Sequence, residues 1–381
     1  MRILFIFLFA CIAKLSFAQD ISFARKMVDT LTSSYFWGRG YTKDGAAKSA
    51  RFLSREFQSY GLQPLNESSF LQEFSFPVNT FPGKMEVRVD GVKLCPGRDF
   101  IISPESRGVK AKSDLVKKDS LSFTDRTNQI RVSLVDKLTW SVSQQAANYT
   151  SILLKKNAVK SDPEKIKLNI ENELVRNFKS HNVCGIVKGT VNPDSMIVIT
   201  AHYDHLGGMG SNVYFPGAND NASGVALMLG LAKFYAANPQ KYSMVFIAFS
   251  GEEAGLLGSK YFTEHPLVDL KKIRFLINTD LAGTGEEGIT VVNATQYKKE
   301  FTFLNQINDE FKYFTKIISR GKAANSDHYW FTEYGVPSFF IYTMGGIRAY
   351  HDIYDRAETL PLTDHDDLFR LIKHFNQCLM Q

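Results

Sequence analysis

The chain has 381 residues, of which 44% are hydrophobic and 22% are charged, and its formal net charge is +6. This length and composition predict one large globular domain carrying an insertion, and they argue against a long disordered protein. No run of lysines and arginines is interleaved with aromatic residues, so the sequence does not indicate a nucleic-acid-binding protein.

The first residues have the pattern of a cleavable export signal. Arg2 is followed by an apolar run from Ile3 to Ala13 and then by Ser16-Phe17-Ala18, which predicts a signal peptide over residues 1–18 and a secreted or periplasmic protein. The run is too short to act as a stable membrane anchor. A buried N-terminal helix is an alternative that the lack of polar positions disfavours. A lipoprotein signal ending at Cys11 is another, which the apolar residues beyond the cysteine fit poorly.

The next segment, residues 19–82, forms the N-terminal part of the main domain in our interpretation. Two amphipathic helices are predicted between Ser22 and Tyr60, the second over about Lys43–Tyr60 with a stop at Gly61. A short strand is predicted at Gln72–Phe76.

Residues 83–183 have a different texture, in which short strand-like runs are separated by loops rich in lysine, serine and aspartate. The runs are Met85–Val89, Phe100–Ser103, Gln129–Val135 and Ser151–Leu154. This pattern predicts a separate, smaller β-rich insertion.

Three cysteines lie outside the predicted signal, at positions 95, 184 and 378. Their odd number and wide spacing predict neither a disulfide framework nor a CxxC metal site. One bridge and three buried free thiols both stay open.

From residue 184 onward, strands and helices alternate regularly. Strands are predicted at Ser195–Thr200, Met244–Phe249, Phe275–Asn278, Ile289–Val292 and Ser338–Tyr342, and helices at Ala222–Ala237, Ala254–Glu264, Lys298–Lys312 and Asp364–Leu379. Such alternation is typical of a sheet covered by helices on both faces. We therefore predict an α/β fold of three layers, α/β/α, with a mostly parallel mixed sheet.

Side chains that commonly bind metals stand directly after these strands. They are His202, Asp204 and His205 after the first strand, Asp220 before the first helix, Glu252 and Glu253 after the second strand, Asp280 after the third, and His351 after the last. Functional groups gather at the carboxyl ends of the strands in such folds, and several carboxylates there would repel one another. A bound cation removes this repulsion, and histidine with aspartate and glutamate is a ligand set expected for zinc.

Two histidines and three carboxylates suit two ions that share one bridging carboxylate. Two ions polarise a carbonyl group and activate water, and a carboxylate left off the metals can act as general base. Each residue also has a purely structural explanation: Asp220 as a helix cap, Glu252 and Glu253 as partners of a helix dipole, Asp280 in a turn and His351 in a surface loop. The position of all of them at the same end of successive strands favours a site.

Several stretches of the C-terminal half agree in order and spacing with one enzyme family. The sequence resembles the co-catalytic, two-zinc metallopeptidase family that includes secreted bacterial leucyl aminopeptidases, glutamate carboxypeptidase and transferrin receptor-like proteins. The matching stretches are Thr200–His205, Gly217–Gly224, Phe249–Ser259, Asn278–Asp280, Ser326–His328 and Tyr350–His351, with a weaker match at Gly38–Gly40.

The resemblance implies two zinc ions per chain and a role for each ligand. His202 and Asp280 would bind one zinc, Glu253 and His351 would bind the second, and Asp220 would bridge the two. The peptide bond that follows this aspartate is often cis in the family.

The resemblance also implies catalytic and supporting roles. Glu252 would be the general base that takes a proton from the attacking water. Tyr350 matches a tyrosine that donates to the developing oxyanion in some members. Asp204 would orient a ligand histidine, and Asp327 and His328 match a motif near the site, where we expect them to support it.

As a whole, the resemblance implies a secreted zinc-dependent exopeptidase, above all an aminopeptidase that removes N-terminal residues from peptides. Residues 19–82 and 184–381 would form its peptidase domain. Some members carry a protease-associated domain before the first metal ligand, and 83–183 sits in that place. Pro96–Phe100 and Ser106–Val109 are similar to that domain, so a reduced protease-associated-like domain is one interpretation of the insertion.

Other functions stay open. A glutaminyl cyclase resembles this family but uses one zinc, and a non-catalytic binding module such as the transferrin receptor ectodomain lacks part of the ligand set. The complete set of two histidines and three carboxylates disfavours both.

A carboxypeptidase of the same family is the remaining alternative. It would need a cationic group for the terminal carboxylate of the substrate, and Arg320 and Arg348 are candidates. The aromatic residues of the last third either line an apolar pocket or belong to the core; they include Tyr329, Trp330, Phe331, Phe339 and Tyr342.

Overall fold

The computed structural model of the protein describes residues 21–381. The predicted signal peptide therefore lies outside the described residues. Within this range the helices are α1 (Ile21–Thr32), α2 (Gly45–Tyr60), α3 (Gly224–Ala237), α4 (Leu257–Glu264), α5 (Lys298–Phe311), α6 (His328–Glu333) and α7 (His365–Leu379).

The strands of the described residues fall into an N-terminal and a C-terminal set. The first set is β1 (Gln63–Pro64), β2 (Leu71–Thr80), β3 (Met85–Val89), β4 (Val92–Leu94), β5 (Phe100–Ile102), β6 (Val109–Asp114), β7 (Val116–Lys117), β8 (Ser122–Thr124), β9 (Ile130–Val135), β10 (Thr150–Lys155) and β11 (Lys165–Ile170). The second set is β12 (Glu173–Val187), β13 (Asn192–His202), β14 (Gly208–Met209), β15 (Val213–Tyr214), β16 (Tyr242–Phe249), β17 (Ile273–Thr279), β18 (Ile289–Val292), β19 (Ile317–Ser319) and β20 (Ser338–Thr343).

The main sheet is mixed and has nine strands. Its order is β1-β12-β16-β13-β17-β20-β18-β19, and β2 also pairs with β12. The central strands β16, β13, β17 and β20 are mutually parallel, whereas β12 runs antiparallel to β16 and β18 runs antiparallel to β20. The carboxyl ends of the four central strands therefore meet at one edge of the sheet, as the sequence predicts.

Helices cover both faces of this sheet. Successive side chains of a strand point to opposite sides, so a strand made of apolar residues presents apolar surface to both faces. In β13, Ile197 and Ile199 join the core beneath α1, α2, α3, α5 and α7. Val198, between them, joins a second core with Phe262 of α4 and Phe331 of α6. The predicted three-layer α/β/α fold is confirmed.

Residues of the insertion form two small sheets around a core to which Leu206, Met209 and Phe215 also contribute. The sheets have the strand orders β5-β10-β9-β8-β7 and β4-β3-β11-β6, and their shared core includes Phe100, Ile152 and Leu168. Strand β12 runs from the end of this region into the main sheet. Residues 183 and 184, between which we expect the domain boundary, therefore lie within one continuous strand.

The three cysteines of the described residues are free, and they differ in exposure. Cys184 is buried, Cys378 is half-buried and Cys95 is exposed. Of the two alternatives that the sequence left open, the bridge is wrong, and three buried free thiols is right only in that the thiols are free, because one of them alone is buried. No helix between residues 21 and 381 combines the length and the apolar character needed to cross a membrane.

Candidate metal centre

The loops after the central strands bring the five expected ligands into one cluster. His202 ends β13, Asp280 follows β17, and His351 lies in the loop after β20. Asp220 lies in a distorted helical turn, Ala218–Ser223, that precedes α3.

The turn after β16 differs from the sequence expectation. Helix α4 begins at Leu257 rather than Ala254, because Gly251, Gly255 and Leu256 adopt positive φ angles that interrupt the chain before the helix. Glu252 and Glu253 therefore lie in a turn that precedes the helix. Their placement as first-turn partners of a helix dipole is wrong.

Each carboxylate oxygen of Asp220 faces a different histidine. Its Oδ1 lies 3.4 Å from Nε2 of His202 and its Oδ2 lies 3.0 Å from Nε2 of His351. The Nε2 atom of His202 is 3.3 Å from Oδ2 of Asp280, and Nε2 of His351 is 3.3 Å from Oε2 of Glu253. The residues thus form two halves around one shared aspartate. The peptide bond between this aspartate and the next residue is cis, as the resemblance implies.

Backbone carbonyl groups set the orientation of both imidazole rings. The carbonyl oxygen of Asp204 lies 3.1 Å from Nδ1 of His202, and that of Trp140 lies 2.9 Å from Nδ1 of His351. A carbonyl can only accept a hydrogen bond, so each Nδ1 carries the proton. Both Nε2 atoms are therefore directed at the carboxylates, which is the arrangement that metal-binding histidines show.

The cluster is electrostatically unbalanced without a cation. Burial alone would lower the pKa of His351, but Glu253 and Asp220 outweigh burial and raise it to about 9. Burial would likewise raise the pKa of Asp220, but the surrounding histidines, His351 first, lower it below its usual value. Without a cation, protons held by the histidines balance the negative charge of the carboxylates. Divalent ions can take over this role.

Two further features fit the binding of metal ions. One ligand atom from each of His202, Glu252 and Asp280 lies within 4.8 Å of the others, and the same holds for a second group, His205, Asp220 and Glu253. Among residues 21–381, the buried Oδ1 atom of Asp280 has no hydrogen-bond partner. A buried carboxylate oxygen without a partner is costly unless a cation binds it, so these residues fit bound zinc.

Glu252 lies beside this cluster and is held through its backbone. Its amide donates a hydrogen bond of 3.2 Å to Oδ1 of Asp204. Burial raises the pKa of Glu252 well above its usual value, and the charges of Glu253, Asp327 and Asp280 add to the effect. The carboxyl group therefore has an increased affinity for a proton.

The carboxylate of Asp204 does not orient the His202 ring as expected, but bonds to Tyr41 instead. Its Oδ1 is 3.9 Å from Nδ1 of that ring, while its Oδ2 accepts a hydrogen bond of 2.6 Å from the hydroxyl of Tyr41. The ring is held by the backbone carbonyl of Asp204, and the carboxylate fixes the turn that carries Glu252.

Arg39 connects the loops that carry the site through hydrogen bonds to their backbone. This role was not predicted from the sequence. This fully buried guanidinium donates to the carbonyl oxygens of Tyr203 at 2.8 Å, Pro216 at 2.6 Å, Gly217 at 2.7 Å and Asp220 at 3.2 Å. It ties the loop after β13 to the turn that carries Asp220. The only signal in the sequence was the weak match at Gly38–Gly40.

His205 was recognised from the sequence as a metal-binding type of side chain, but it was given no role in the cluster. It is fully buried, and its Nδ1 lies 2.7 Å from Oε1 of Glu253 and 3.8 Å from Oδ1 of Asp220. Its place in the matching stretch Thr200–His205 was visible in the sequence, but nothing there assigned it a contact.

Two other expected supports are buried near the site. Burial raises the pKa of Asp327 to about 7, and burial lowers the pKa of His328 to about 3, which keeps that imidazole neutral.

Asp355 supports the turn that carries Asp220 directly, because its carboxylate accepts hydrogen bonds from the amides of Asn219 at 2.8 Å and Asp220 at 3.0 Å.

A pocket of about 290 Å³ opens onto the cluster. Its walls beyond the ligands and Glu252 are Leu281, Arg320, Asn325, Phe340, Tyr342 and Tyr350. Of the aromatic residues considered from the sequence, Tyr342 lines this pocket, while Phe331 and Phe339 belong to the core.

Tyr350 packs beside a ligand. Its ring stacks on that of His351 with centroids 4.0 Å apart and an interplanar angle of 14°. Burial raises the pKa of Tyr350 above its usual value. The hydroxyl therefore keeps its proton at neutral pH and can serve as a donor.

Comparison with known proteins agrees with this geometry. The model of a protein family described as Peptidase family M28 matches residues 182–376. Aminopeptidase YwaD of Bacillus subtilis is 33% identical over 167 residues, which cover 42% of this chain and 35% of that relative. The alignment thus spans about a third of the curated relative.

Solved structures show the same fold. BSAP, a zinc aminopeptidase from Bacillus subtilis, superposes with a TM-score of 0.70 at 18% identity, covering 94% of each chain. A peptidase M28 precursor from Shewanella amazonensis SB2B gives a TM-score of 0.71 at 16% identity, covering 95% of this chain and 93% of that one.

Proposed function

Because the chain belongs to peptidase family M28, we propose that it is a zinc-dependent exopeptidase, and specifically an aminopeptidase that removes N-terminal residues from peptides. The observation that carries the proposal is the shared position of Asp220 between His202 and His351. Aminopeptidase YwaD of Bacillus subtilis, which is 33% identical over 167 residues, supports the same activity for this chain. The export signal predicted over residues 1–18 supports action outside the cytoplasm.

The ligand set supports two zinc ions per chain. His202 and Asp280 would hold one ion, Glu253 and His351 would hold the other, and Asp220 would bridge them. Such ions, when bound, supply Lewis acidity toward a carbonyl oxygen and increase the acidity of water.

Glu252 is the residue proposed to move protons. Its carboxylate would take a proton from the water that attacks the carbonyl carbon of the peptide bond, and it would then give that proton to the nitrogen of the leaving amine. Its raised pKa supports the first half of this task, because a stronger base accepts the proton more readily. The hydrogen bond from its amide to Asp204 holds it in place.

Tyr350 is proposed to stabilise the charge that develops on the carbonyl oxygen. It lines the pocket and stays protonated, so its hydroxyl can donate a hydrogen bond to that oxygen. The stacking against His351 limits the freedom of the ring.

One observation supports carboxypeptidase activity as a second candidate. Arg320 lines the pocket, and a guanidinium can pair with a terminal carboxylate. Arg348, the other candidate from the sequence, is not one of the lining residues described.

The test is hydrolysis of matched chromogenic substrates with a free or an acetylated α-amine, with and without a chelator. Cleavage of free-amine substrates alone, abolished by chelation and restored by zinc, supports the aminopeptidase. Cleavage of acetylated substrates with a free terminal carboxylate would support the carboxypeptidase instead. A metal content near one per chain would favour a cyclase-like site over the two-ion site.

A further inference from the structure

Arg320 occupies the wall of the pocket that faces the ligand cluster. From its position and its lack of a charged partner, we infer that Arg320 is a specificity residue that binds a carboxylate of the substrate. Under the proposed aminopeptidase function, on which this inference rests, the carboxylate is the side chain of an N-terminal aspartate or glutamate.

The backbone of Arg320 is fixed by the main sheet. The residue follows β19, which pairs in parallel with β18, and its amide donates a hydrogen bond of 2.9 Å to the carbonyl oxygen of Val291. Its side chain reaches Tyr342 of β20, to whose hydroxyl Nη1 donates at 3.4 Å. The guanidinium is therefore held at the pocket by one neutral contact that leaves most of its donors free.

No carboxylate neutralises this guanidinium. Among residues 21–381, none of the ion pairs within 4.0 Å includes Arg320, whereas Lys322, two positions further along, is paired with Glu333. An arginine that faces a pocket without a counter-ion offers its planar fork of donors to a ligand carboxylate.

The charges around the pocket point in the same direction. Two divalent ions would balance the four carboxylates that line it, which are Asp220, Glu252, Glu253 and Asp280. The guanidinium of Arg320 then adds a positive charge without compensation. A pocket with this balance favours an anionic side chain over a neutral or cationic one.

The other walls suit a short side chain with a polar end. Leu281 and Phe340 offer apolar surface, while Asn325 and Tyr342 offer hydrogen-bonding groups beside the arginine. The methylene groups of glutamate can contact the apolar wall while the carboxylate meets the polar end.

The main experiment compares isosteric substrate pairs in the zinc-loaded protein. The kcat/KM of glutamyl- and aspartyl-p-nitroanilide is measured against that of glutaminyl- and asparaginyl-p-nitroanilide, with leucyl-p-nitroanilide as a neutral reference. We expect the wild type to favour the acidic member of each pair by roughly 10- to 100-fold, the effect of a hydrogen-bonded charge pair.

Three variants separate the charge from general damage. Arg320→Met removes the charge and is expected to bring the ratio of acidic to amide kcat/KM close to one. Arg320→Glu is expected to reverse the preference toward lysyl-p-nitroanilide. Arg348→Met removes an exposed guanidinium outside the pocket lining and is expected to change nothing.

Binding of free glutamate and free glutamine to the zinc-loaded protein, measured by calorimetry, provides a readout that does not need turnover. We expect glutamate to bind more tightly, and Arg320→Met to remove the difference. Equal ratios of acidic to amide ligands in wild type and Arg320→Met, in both assays, would overturn the inference.

The outcomes also separate this inference from the proposed function. If no free-amine substrate is cleaved but the glutamate preference depends on Arg320, the aminopeptidase assignment fails and the carboxylate-binding role stands. If acetylated dipeptides are cleaved only with a free terminal carboxylate, and Arg320→Met abolishes this, the carboxylate is the C-terminal one. Cleavage of leucyl-p-nitroanilide without any acidic preference rejects the inference and leaves the function intact.

Discussion

Nδ1 of His351 lies 2.9 Å from the backbone carbonyl oxygen of Trp140, and the amide of Trp140 donates a hydrogen bond of 2.9 Å to the carbonyl oxygen of His351. Trp140 belongs to the β-rich insertion, so this region directly contacts an expected metal ligand. The indole is itself held, because Nε1 donates to the carbonyl oxygen of Ile102 at 2.8 Å and the ring stacks on Phe215. The insertion thereby helps to define where His351 points.

Trp140→Ala should therefore weaken zinc binding as well as stability. Losing this buried ring costs about 3–5 kcal/mol, and the carbonyl that orients His351 loses its anchor. Trp140→Phe keeps the stacking and should retain zinc nearly as well as the wild type. Zinc affinity by competition with a chromogenic chelator, together with thermal unfolding, measures both effects.

Leu138→Ala is the matched control for this experiment, because Leu138 is buried in the same core as Trp140. It should lower the unfolding free energy by about 2–5 kcal/mol with little effect on zinc affinity. Equal loss of zinc affinity in Leu138→Ala and Trp140→Ala would show that the contact with His351 has no specific role.

Glu252→Gln should keep both metals and lose turnover. The amide has nearly the shape of the carboxylate but cannot accept the proton from water, so kcat should fall by about 10²- to 10⁴-fold. Metal content by atomic emission and kcat on a free-amine substrate are the measurements. Glu264→Gln, on the neighbouring helix α4, should change neither quantity, and substantial activity in Glu252→Gln would contradict its role as base.

Asp220→Ala should lose metal together with activity. Its two oxygens face His202 and His351 separately, so removal of the carboxylate takes a ligand from both halves of the cluster. Zinc titration of the purified variant should show affinity lowered at both sites. Retention of two tightly bound ions would exclude a bridging position for this residue.

The clustering of the expected ligands was predictable because regular structure determines where they lie. Strands β13, β16 and β17 are parallel neighbours, so residues placed just after them in sequence must meet in space. Asp220 and His351 could be added because the resemblance supplied their roles. For the residues that directly follow the parallel strands, the alternation of apolar strands and helices was sufficient information.

The contacts that orient the ligands were not predictable in the same way. The pairing of Trp140 with His351 joins residues 211 positions apart, and the bond from Arg39 to the carbonyl of Asp220 spans 181 positions. Both use backbone carbonyl groups, which every residue possesses, so no side-chain pattern distinguishes the partner. Their geometry depends on how irregular loops pack after the sheet has formed.

Acid should destabilise the fold through His365. Burial lowers the pKa of His365 to about 4, and its Nε2 lies 3.2 Å from the carbonyl oxygen of Ser223. The unfolded chain, with a histidine pKa near 6.5, binds the proton at a higher pH than the folded chain does. Stability is therefore lost as the pH falls from about 6.5 to about 4, and the total loss is about 3 kcal/mol.

His365→Gln keeps a side-chain donor but removes this titration. Its free energy of unfolding, measured by urea denaturation between pH 7 and pH 4, should therefore fall less steeply than that of the wild type. His265→Gln, which removes an exposed imidazole, should keep the wild-type slope. Identical slopes for all three proteins would mean that His365 is already protonated in the folded state.

Zinc binding should release protons from the site at neutral pH. Burial disfavours the charged form of His351, but Glu253 and Asp220 outweigh burial and raise its pKa to about 9 in the absence of an ion. The pKa of His202 is likewise raised, by Asp280 and neighbouring carboxylates. Both rings are therefore protonated at pH 7, whereas a zinc ligand must offer the lone pair of Nε2.

Calorimetric titration with zinc in two buffers of different ionisation enthalpy should give buffer-dependent heats that correspond to at least about one proton released per chain at pH 7. The release should decrease as the pH rises through about 9, where His351 loses its proton before zinc arrives, and the apparent affinity should rise over the same interval. Heats that are the same in both buffers at pH 7 would show that the imidazoles are neutral before the metal binds, and that the carboxylates around Asp220 are balanced in some other way.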